Sequence, residues 1–86
     1  MAKLFKSTGE VIDVSPDKGK TFSLERLQEL VGGYIEILPY RGWLFVCDEE
    51  GKLKGKPLNV KATEEARRWF DPYVGDVLVC KRSEIK

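Results

Sequence analysis

The chain has 86 residues, of which 42% are hydrophobic and 34% are charged, and its 15 basic and 14 acidic residues leave a net charge of +1. So short a chain suits one small domain, which we expect to cover residues 1–86, with a frayed tail at 82–86. The balanced charge excludes a strong overall field for nucleic acid, and no run approaches the roughly 20 apolar residues that span a bilayer. We therefore expect a cytoplasmic protein without a membrane partner.

Histidine is absent from the chain, and its two cysteines, Cys47 and Cys80, do not form a CxxC pair. Without imidazole, a histidine-based triad or acid–base pair is impossible, and a zinc site would need an uncommon ligand set. Both cysteines end apolar runs, which favours buried, reduced thiols over a disulfide or a reactive thiol. We expect no catalytic residues, no metal and no cofactor.

Five stretches of the sequence have the pattern of β-strands. KLFKS and EVIDV flank Gly9, which can adopt a positive φ, and they predict a first hairpin. YIEILPY and GWLFVCD alternate in polarity and predict a second hairpin, joined through residues 39–42. DVLVCK predicts a last strand.

Two further stretches predict helices. In FSLERLQELVGG, Ser23 can cap the N-terminus, Phe22 and Leu27 are spaced as a hydrophobic staple, and the two glycines can end the helix. In NVKATEEARRWFDP, apolar positions continue through the Trp-Phe pair, with Asn59 or Thr63 as the cap and Asp-Pro as the stop. The first helix is too short to be stable alone, so it must pack on a sheet.

These elements follow the order ββαββαβ. We expect a single small α+β domain with two helices packed against a mostly antiparallel sheet. In GWLFVCD both faces of the strand are apolar. That strand is therefore central, or its second face meets something else, such as a second copy in a homo-oligomer.

The stretch GKLKGKPLN, residues 51–59, has two interpretations. Lys54, Gly55, Lys56 and Asn59 could hold an anion, because glycine allows a close backbone approach and the loop leads to the start of a helix. Alternatively, the lysines form an ordinary solvated turn and Asn59 is only the helix cap. The sequence favours the solvated turn but leaves the anion site open.

A second candidate site lies at the tip of the second hairpin. Tyr40, Arg41 and Trp43 combine aromatic rings with a guanidinium, a composition typical of binding hot spots and of stacking on nucleobases. The competing interpretation is that Trp43 and Trp69 are core residues, which we expect for the two tryptophans. The sequence does not decide between the two interpretations for Tyr40 and Arg41.

The acidic run Asp48, Glu49 and Glu50 lies before a glycine, where we expect a hydrated turn. Carboxylates that perform acid–base catalysis are held in clefts that perturb their pKa values, unlike a turn of this kind. A hydrolase using Glu49 or Glu50 is therefore the least supported possibility. We expect a binding protein and not an enzyme.

The segment LQELVGGYIEILP, followed by a hairpin and then DEEGKLKGKPLN, resembles a family of small domains of unknown function encoded by bacteriophages and mobile elements. The resemblance covers nearly the whole chain and implies an accessory protein of the bacterial cytoplasm. It supplies no catalytic residues. Our leading hypothesis is a protein that counteracts host antiviral defence by sequestering a nucleotide-type signal or by binding a host defence protein. The alternative is a nucleic-acid-associated regulator that uses the basic residues at 52–61 and 67–68.

Overall fold

The computed structural model describes residues 2–85. Over this range the chain forms a five-stranded antiparallel sheet and two α-helices in the order ββαββαβ, which confirms the predicted α+β fold. The strands are β1 (Ala2–Phe5), β2 (Val11–Val14), β3 (Ile35–Tyr40), β4 (Trp43–Asp48) and β5 (Val77–Lys81). The helices are α1 (Leu24–Val31) and α2 (Val60–Glu65), and a short 3-10 helix follows at Arg82–Glu84. None of the described helices is long and apolar enough to cross a membrane.

The last strand of the chain lies in the middle of the sheet. The strand order is β2-β1-β5-β4-β3, so β5 pairs with β1 on one side and with β4 on the other. Val77, Leu78 and Cys80 of this strand are fully buried. The two predicted hairpins are therefore joined through β5.

Both faces of the sheet carry a hydrophobic cluster. On one face α1 contributes Leu27 and Val31, which pack with Val46 and Leu78. On the other face, the cluster joins Phe5, Phe45, Cys47 and Val77 of the strands to Ala62, Ala66 and Tyr73 from α2 and the residues after it. The apolar second face predicted for β4 is therefore covered in part by the same chain.

The first helix matches its predicted signals closely. The Ser23 side chain accepts a hydrogen bond from the Arg26 amide at 3.1 Å, and Phe22 and Leu27 are both buried in the cluster below the helix. Gly32 ends the helix in the left-handed conformation, with a φ of 78°. These signals are all local in sequence, which explains why the sequence alone predicted both ends of α1.

The second helix is shorter than predicted. The cap is Asn59, but α2 ends after Glu65, and Arg67 has a φ of 52°. The Arg67 amide donates to Glu64 O at 3.1 Å and the Arg68 amide to Thr63 O at 2.9 Å, which is the hydrogen-bond pattern of a Schellman motif. The predicted continuation of the helix through Phe70 is therefore wrong.

The prediction that the two tryptophans are core residues is also wrong. Trp43 is 42% exposed and Trp69 is 52% exposed, and Phe70 beside it is 81% exposed. Trp69 and Phe70 leave the interior because the helix that would have turned them inward stops before them. The prediction for the cysteines is confirmed, since Cys47 and Cys80 are free and buried.

The C-terminal residues 82–85, where the sequence predicted a frayed tail, are attached to the rest of the domain. The Phe22 amide donates to Glu84 O at 2.8 Å, and Phe22 and Ile85 form an isolated parallel bridge. The Glu84 side chain accepts from the Lys81 amide at 2.9 Å. Lys86 lies outside the described residues.

Asn59 links three parts of the fold from a fully buried position. Its side-chain oxygen caps α2 at the Ala62 amide, 3.0 Å away. Its side-chain nitrogen donates to Phe5 O and to Gly75 O, each at 2.7 Å. The single amide group therefore joins the start of α2 to the end of β1 and to the segment that leads into β5.

Replacing Asn59 with alanine removes the cap and the side-chain donor to two buried carbonyls. We expect Asn59→Ala to lower the free energy of unfolding by about 2–4 kcal/mol. Urea unfolding followed by tryptophan fluorescence measures this change. The matched control is Ser23→Ala, which removes the cap of α1 and an exposed hydrogen bond to Asp17 and should cost about 1 kcal/mol. Equal losses in the two variants would contradict the linking role of Asn59.

Candidate functional site

The lysines of the loop 51–59 converge on one buried carboxylate. Lys54 Nζ lies 2.9 Å and Lys56 Nζ 2.8 Å from Asp48 Oδ2, and the Asp48 side chain is only 1% exposed. The other carboxylate oxygen accepts from the Glu50 amide at 2.9 Å. Asp48 therefore has partners for both of its oxygens.

The same two ammonium groups also bind the C-terminus of α1. Lys56 Nζ donates to Val31 O at 2.8 Å, and Lys54 Nζ donates to Gly32 O at 3.3 Å. Positive charge is favourable at a helix C-terminus, where carbonyl groups lack helical partners. Gly33 leaves room for this arrangement, because a Cβ there would lie 2.6 Å from both Asp48 Oδ1 and Lys54 Nζ.

Asp48 is not the hydrated turn residue that the sequence predicted. Burial alone raises its pKa, but hydrogen bonds from Lys56, Lys54 and the Glu50 amide outweigh the burial and lower the pKa to about 2. Glu49 and Glu50 are exposed, as expected for the turn. Asp48 differs from them because it is the last residue of β4 and its side chain is enclosed by the two lysines.

The side chains of the loop 51–59 that could bind an anion thus already have partners within the domain. Lys54 and Lys56 bind Asp48 and the end of α1, and Asn59 is a buried cap, while Gly55 lies in an exposed turn with a φ of 68°. Anion binding at this loop stays a prediction. Any anion there would compete with Asp48 for the two ammonium groups.

Two more of the basic residues that suggested nucleic-acid binding are also paired. Lys52 and Arg68 both form ion pairs with Asp71, and Arg68 Nη2 lies 2.7 Å from Asp71 Oδ2. These pairs join the loop 51–59 to the segment after α2. The basic segments are therefore largely neutralised by contacts within the domain, which weakens the hypothesis of a nucleic-acid regulator.

A larger site lies on the second face of the sheet. An open groove of about 820 Å³ extends between the strands and the C-terminal end of α2. Its aromatic lining consists of Phe5, Tyr40, Trp43 and Phe45. Charged side chains from the hairpin turn and from the end of the helix complete the lining, among them Arg41, Glu64, Glu65 and Arg67.

The groove brings together one of the two sets of candidates from the sequence. Tyr40, Arg41 and Trp43 all line it, whereas its lining includes no residue of the loop 51–59. Cations lie over the half-buried ring of Tyr40 and the exposed ring of Trp43: Arg41 is 5.5 Å from the centre of the Tyr40 ring, and Lys81 is 5.7 Å from that of Trp43. The hairpin tip therefore presents aromatic faces and positive charge to the same space.

Phe5, Phe45 and Arg67 also line the groove and were not among the residues that the sequence suggested for a ligand site. Phe5 reaches it because β5 pairs with β1, which a local sequence pattern does not reveal. Arg67 reaches it because α2 ends early. A signal for Phe45 was available, since it shares a strand face with Trp43 at a spacing of two residues.

A second cavity of about 130 Å³ lies beside Cys47 and Tyr73. The Tyr73 hydroxyl is buried and has no hydrogen-bond partner among the described residues. Burial raises the pKa of Cys47 to about 11 and that of Tyr73 to about 12. Both groups are therefore protonated at neutral pH and are poor nucleophiles.

Comparison with known proteins gives one match. Residues 6–85 match the family described as Domain of unknown function (DUF3846). Neither the curated proteins nor the solved structures contain a match to the chain. The match covers every helix and strand except β1, and it includes the loop 51–59 and the groove residues other than Lys3 and Phe5.

The buried ion pairs of Asp48 should make folding sensitive to acid. Its pKa is lowered from 3.8 to about 2, so the stabilisation is complete above the ordinary pKa and disappears as the pH falls through the lowered one. We expect the free energy of unfolding to decrease between about pH 5 and pH 2. In Asp48→Asn this decrease should be smaller, and at pH 7 the variant should be less stable by about 2 kcal/mol.

Urea unfolding at a series of pH values tests both expectations. Glu49→Gln is the control, because it neutralises the neighbouring exposed carboxylate and should change stability by less than about 0.5 kcal/mol. If Asp48→Asn and the wild type lose stability equally as the pH falls, Asp48 is not the group responsible.

Proposed function

We propose that this chain, which belongs to the family described as Domain of unknown function (DUF3846), is a non-enzymatic binding protein that holds a nucleotide-type small molecule in the groove. The observation that carries the proposal is the meeting of Tyr40, Arg41 and Trp43 at one open site. Aromatic rings stack on bases without regard to sequence, and guanidinium groups bind phosphate through paired hydrogen bonds.

The size of the groove supports a small-molecule ligand. Its volume of about 820 Å³ is within the range of roughly 300–1,000 Å³ that is usual for such sites. Its floor is apolar and aromatic, and its charged groups lie at the hairpin turn, at the end of α2 and on β1, where Lys3 is paired with Asp13. This arrangement suits a ligand with one flat apolar part and one charged part.

The chemistry of the site favours binding over catalysis. Cys47 and Tyr73 do not line the groove, and both remain protonated near neutral pH because burial raises the pKa of each. Glu64 and Glu65 line the groove but are exposed on the surface of α2, where carboxylates are well hydrated. The groove therefore offers contacts for a ligand without an activated group.

The biological setting comes from the sequence resemblance to proteins of bacteriophages and mobile elements. In that setting, a protein that retains a nucleotide-type signal of the host would interrupt antiviral defence in the bacterial cytoplasm. Direct binding of a host defence protein through the same aromatic face is the other version of this proposal. A homo-oligomer is compatible with either version.

Isothermal titration calorimetry with a panel of cyclic and ADP-ribose-type nucleotides tests the ligand version. We expect at least one of them to bind to the wild type. Trp43→Ala should weaken that binding by about tenfold or more, because stacking on an aromatic ring contributes roughly 1–3 kcal/mol per base. Trp69→Ala is the matched control, since Trp69 is exposed but does not line the groove.

The absence of heat with every nucleotide would remove the ligand version and leave the protein-binding one. Binding that Trp43→Ala and Trp69→Ala weaken equally would show that the ligand lies outside the groove.

A further inference from the structure

We infer that Arg41 and Arg67 together form an anion site in the groove and that the ligand carries a diphosphate group. This inference rests on the proposed function, and it adds a residue that the sequence candidates did not include. Arg41 lies in the turn between β3 and β4, and Arg67 lies just after α2. The two side chains reach the same groove from different elements.

The backbone at these two arginines is unusual. Among residues 2–85, they are the only residues other than glycine with a positive φ, at 51° for Arg41 and 52° for Arg67. The left-handed region is unfavourable for residues with a Cβ, apart from modest tolerance for asparagine and aspartate. Of all the described non-glycine residues, only these two carry this strain, and both line one groove.

Glycine or asparagine would fit each position better. Arg41 and Gly42, with a φ of 84°, form a two-residue hairpin turn with positive φ at both positions, for which Asn-Gly and Gly-Gly are preferred. Arg67 occupies the position after a helix where a Schellman motif usually has glycine. In both places the backbone geometry does not explain an arginine.

Contacts within the domain do not explain these arginines either. Neither Arg41 nor Arg67 forms a hydrogen bond or an ion pair through its guanidinium group within the described residues, and Arg41 only lies over the Tyr40 ring. Arg68 shows the contrast, because its guanidinium pairs with Asp71 at 2.7 Å. Two strained arginines thus direct unpaired guanidinium groups toward the same space.

A solubilising role would not require these positions, because a cation at any neighbouring exposed residue serves solubility equally well. Guanidinium groups are planar forks of donors that match phosphate oxygens in pairs. Because the two forks reach the groove from different elements, a diphosphate, which presents oxygens on two phosphorus atoms, can be held by both of them at once. Glu64 and Glu65 line the same groove and can accept hydrogen bonds from the hydroxyl groups of a sugar.

Replacing each arginine with glycine separates a structural role from a binding role. Arg41→Gly and Arg67→Gly relieve the backbone strain, so each should raise the Tm by about 2–5 °C. Each should also weaken the binding of inorganic diphosphate, measured by titration calorimetry at low salt, by about tenfold or more. Inorganic phosphate should bind to the wild type more weakly than diphosphate.

Two controls test charge and geometry separately. Lys61→Gln removes one positive charge from the exposed surface of α2 outside the groove and should leave diphosphate binding within about twofold of the wild type. Arg67→Lys keeps the charge but loses the fork, so its affinity should lie between those of the wild type and Arg67→Gly. Its Tm should stay near that of the wild type.

The outcomes distinguish this inference from the proposed function. If the wild type binds a nucleotide and both glycine variants bind it equally well, the two-arginine site is wrong and the proposed function stands. If diphosphate binds through both arginines but no nucleotide binds, the ligand version of the proposed function is wrong and the anion site stands. Absence of diphosphate binding by the wild type, or binding of inorganic phosphate as tight as that of diphosphate, overturns the inference.

Discussion

The buried carboxylate of Asp48 is the interaction on which the arrangement of the domain depends. A charged group that is 1% exposed requires opposite charge at close range, and Lys54 and Lys56 supply it. Binding both lysines draws the loop 51–59 against the end of α1 and fixes where that loop can lead. The loop then delivers Asn59 to its buried position, which in turn places α2 over the second face of the sheet. One wall of the groove is therefore positioned by a chain of contacts that starts at Asp48.

How much of this fold the sequence could predict depends on whether the signals were local. The first helix was predictable from end to end, because its cap, its hydrophobic staple and its terminal glycine all lie within a dozen residues. The start of α2 was predictable for the same reason, since asparagine is a strong cap. The C-terminal end of α2 was not predictable, because the residue in the left-handed position is Arg67 and not glycine. With no glycine to mark the stop, the apolar periodicity through Phe70 indicated a longer helix than the chain forms.

The residues of the candidate site likewise differ in whether a local sequence signal could reveal them. Tyr40, Arg41 and Trp43 lie around one tight turn, so the sequence alone could place them together. Phe5 joins them only because β5 is inserted between the two hairpins, and strand order depends on contacts between residues far apart in the chain. The loop 51–59 shows a different limit. Lysines beside glycines suit an exogenous anion and an internal carboxylate equally well, and only the burial of Asp48, a tertiary property, reveals that the two lysines bind an internal carboxylate.

Two sets of cations in the domain have different consequences. Lys54 and Lys56 neutralise Asp48, and Lys52 and Arg68 neutralise Asp71, so their charges stabilise the fold and are largely withdrawn from any ligand. Arg41 and Arg67 stabilise nothing comparable and occupy backbone conformations that disfavour them. Glycine at both positions would make the protein more stable. Strained residues persist where the surrounding structure over-determines them, and they cluster at ligand sites. Unpaired charge and backbone strain in one groove therefore support the proposed binding surface more strongly than the density of basic residues in the sequence does.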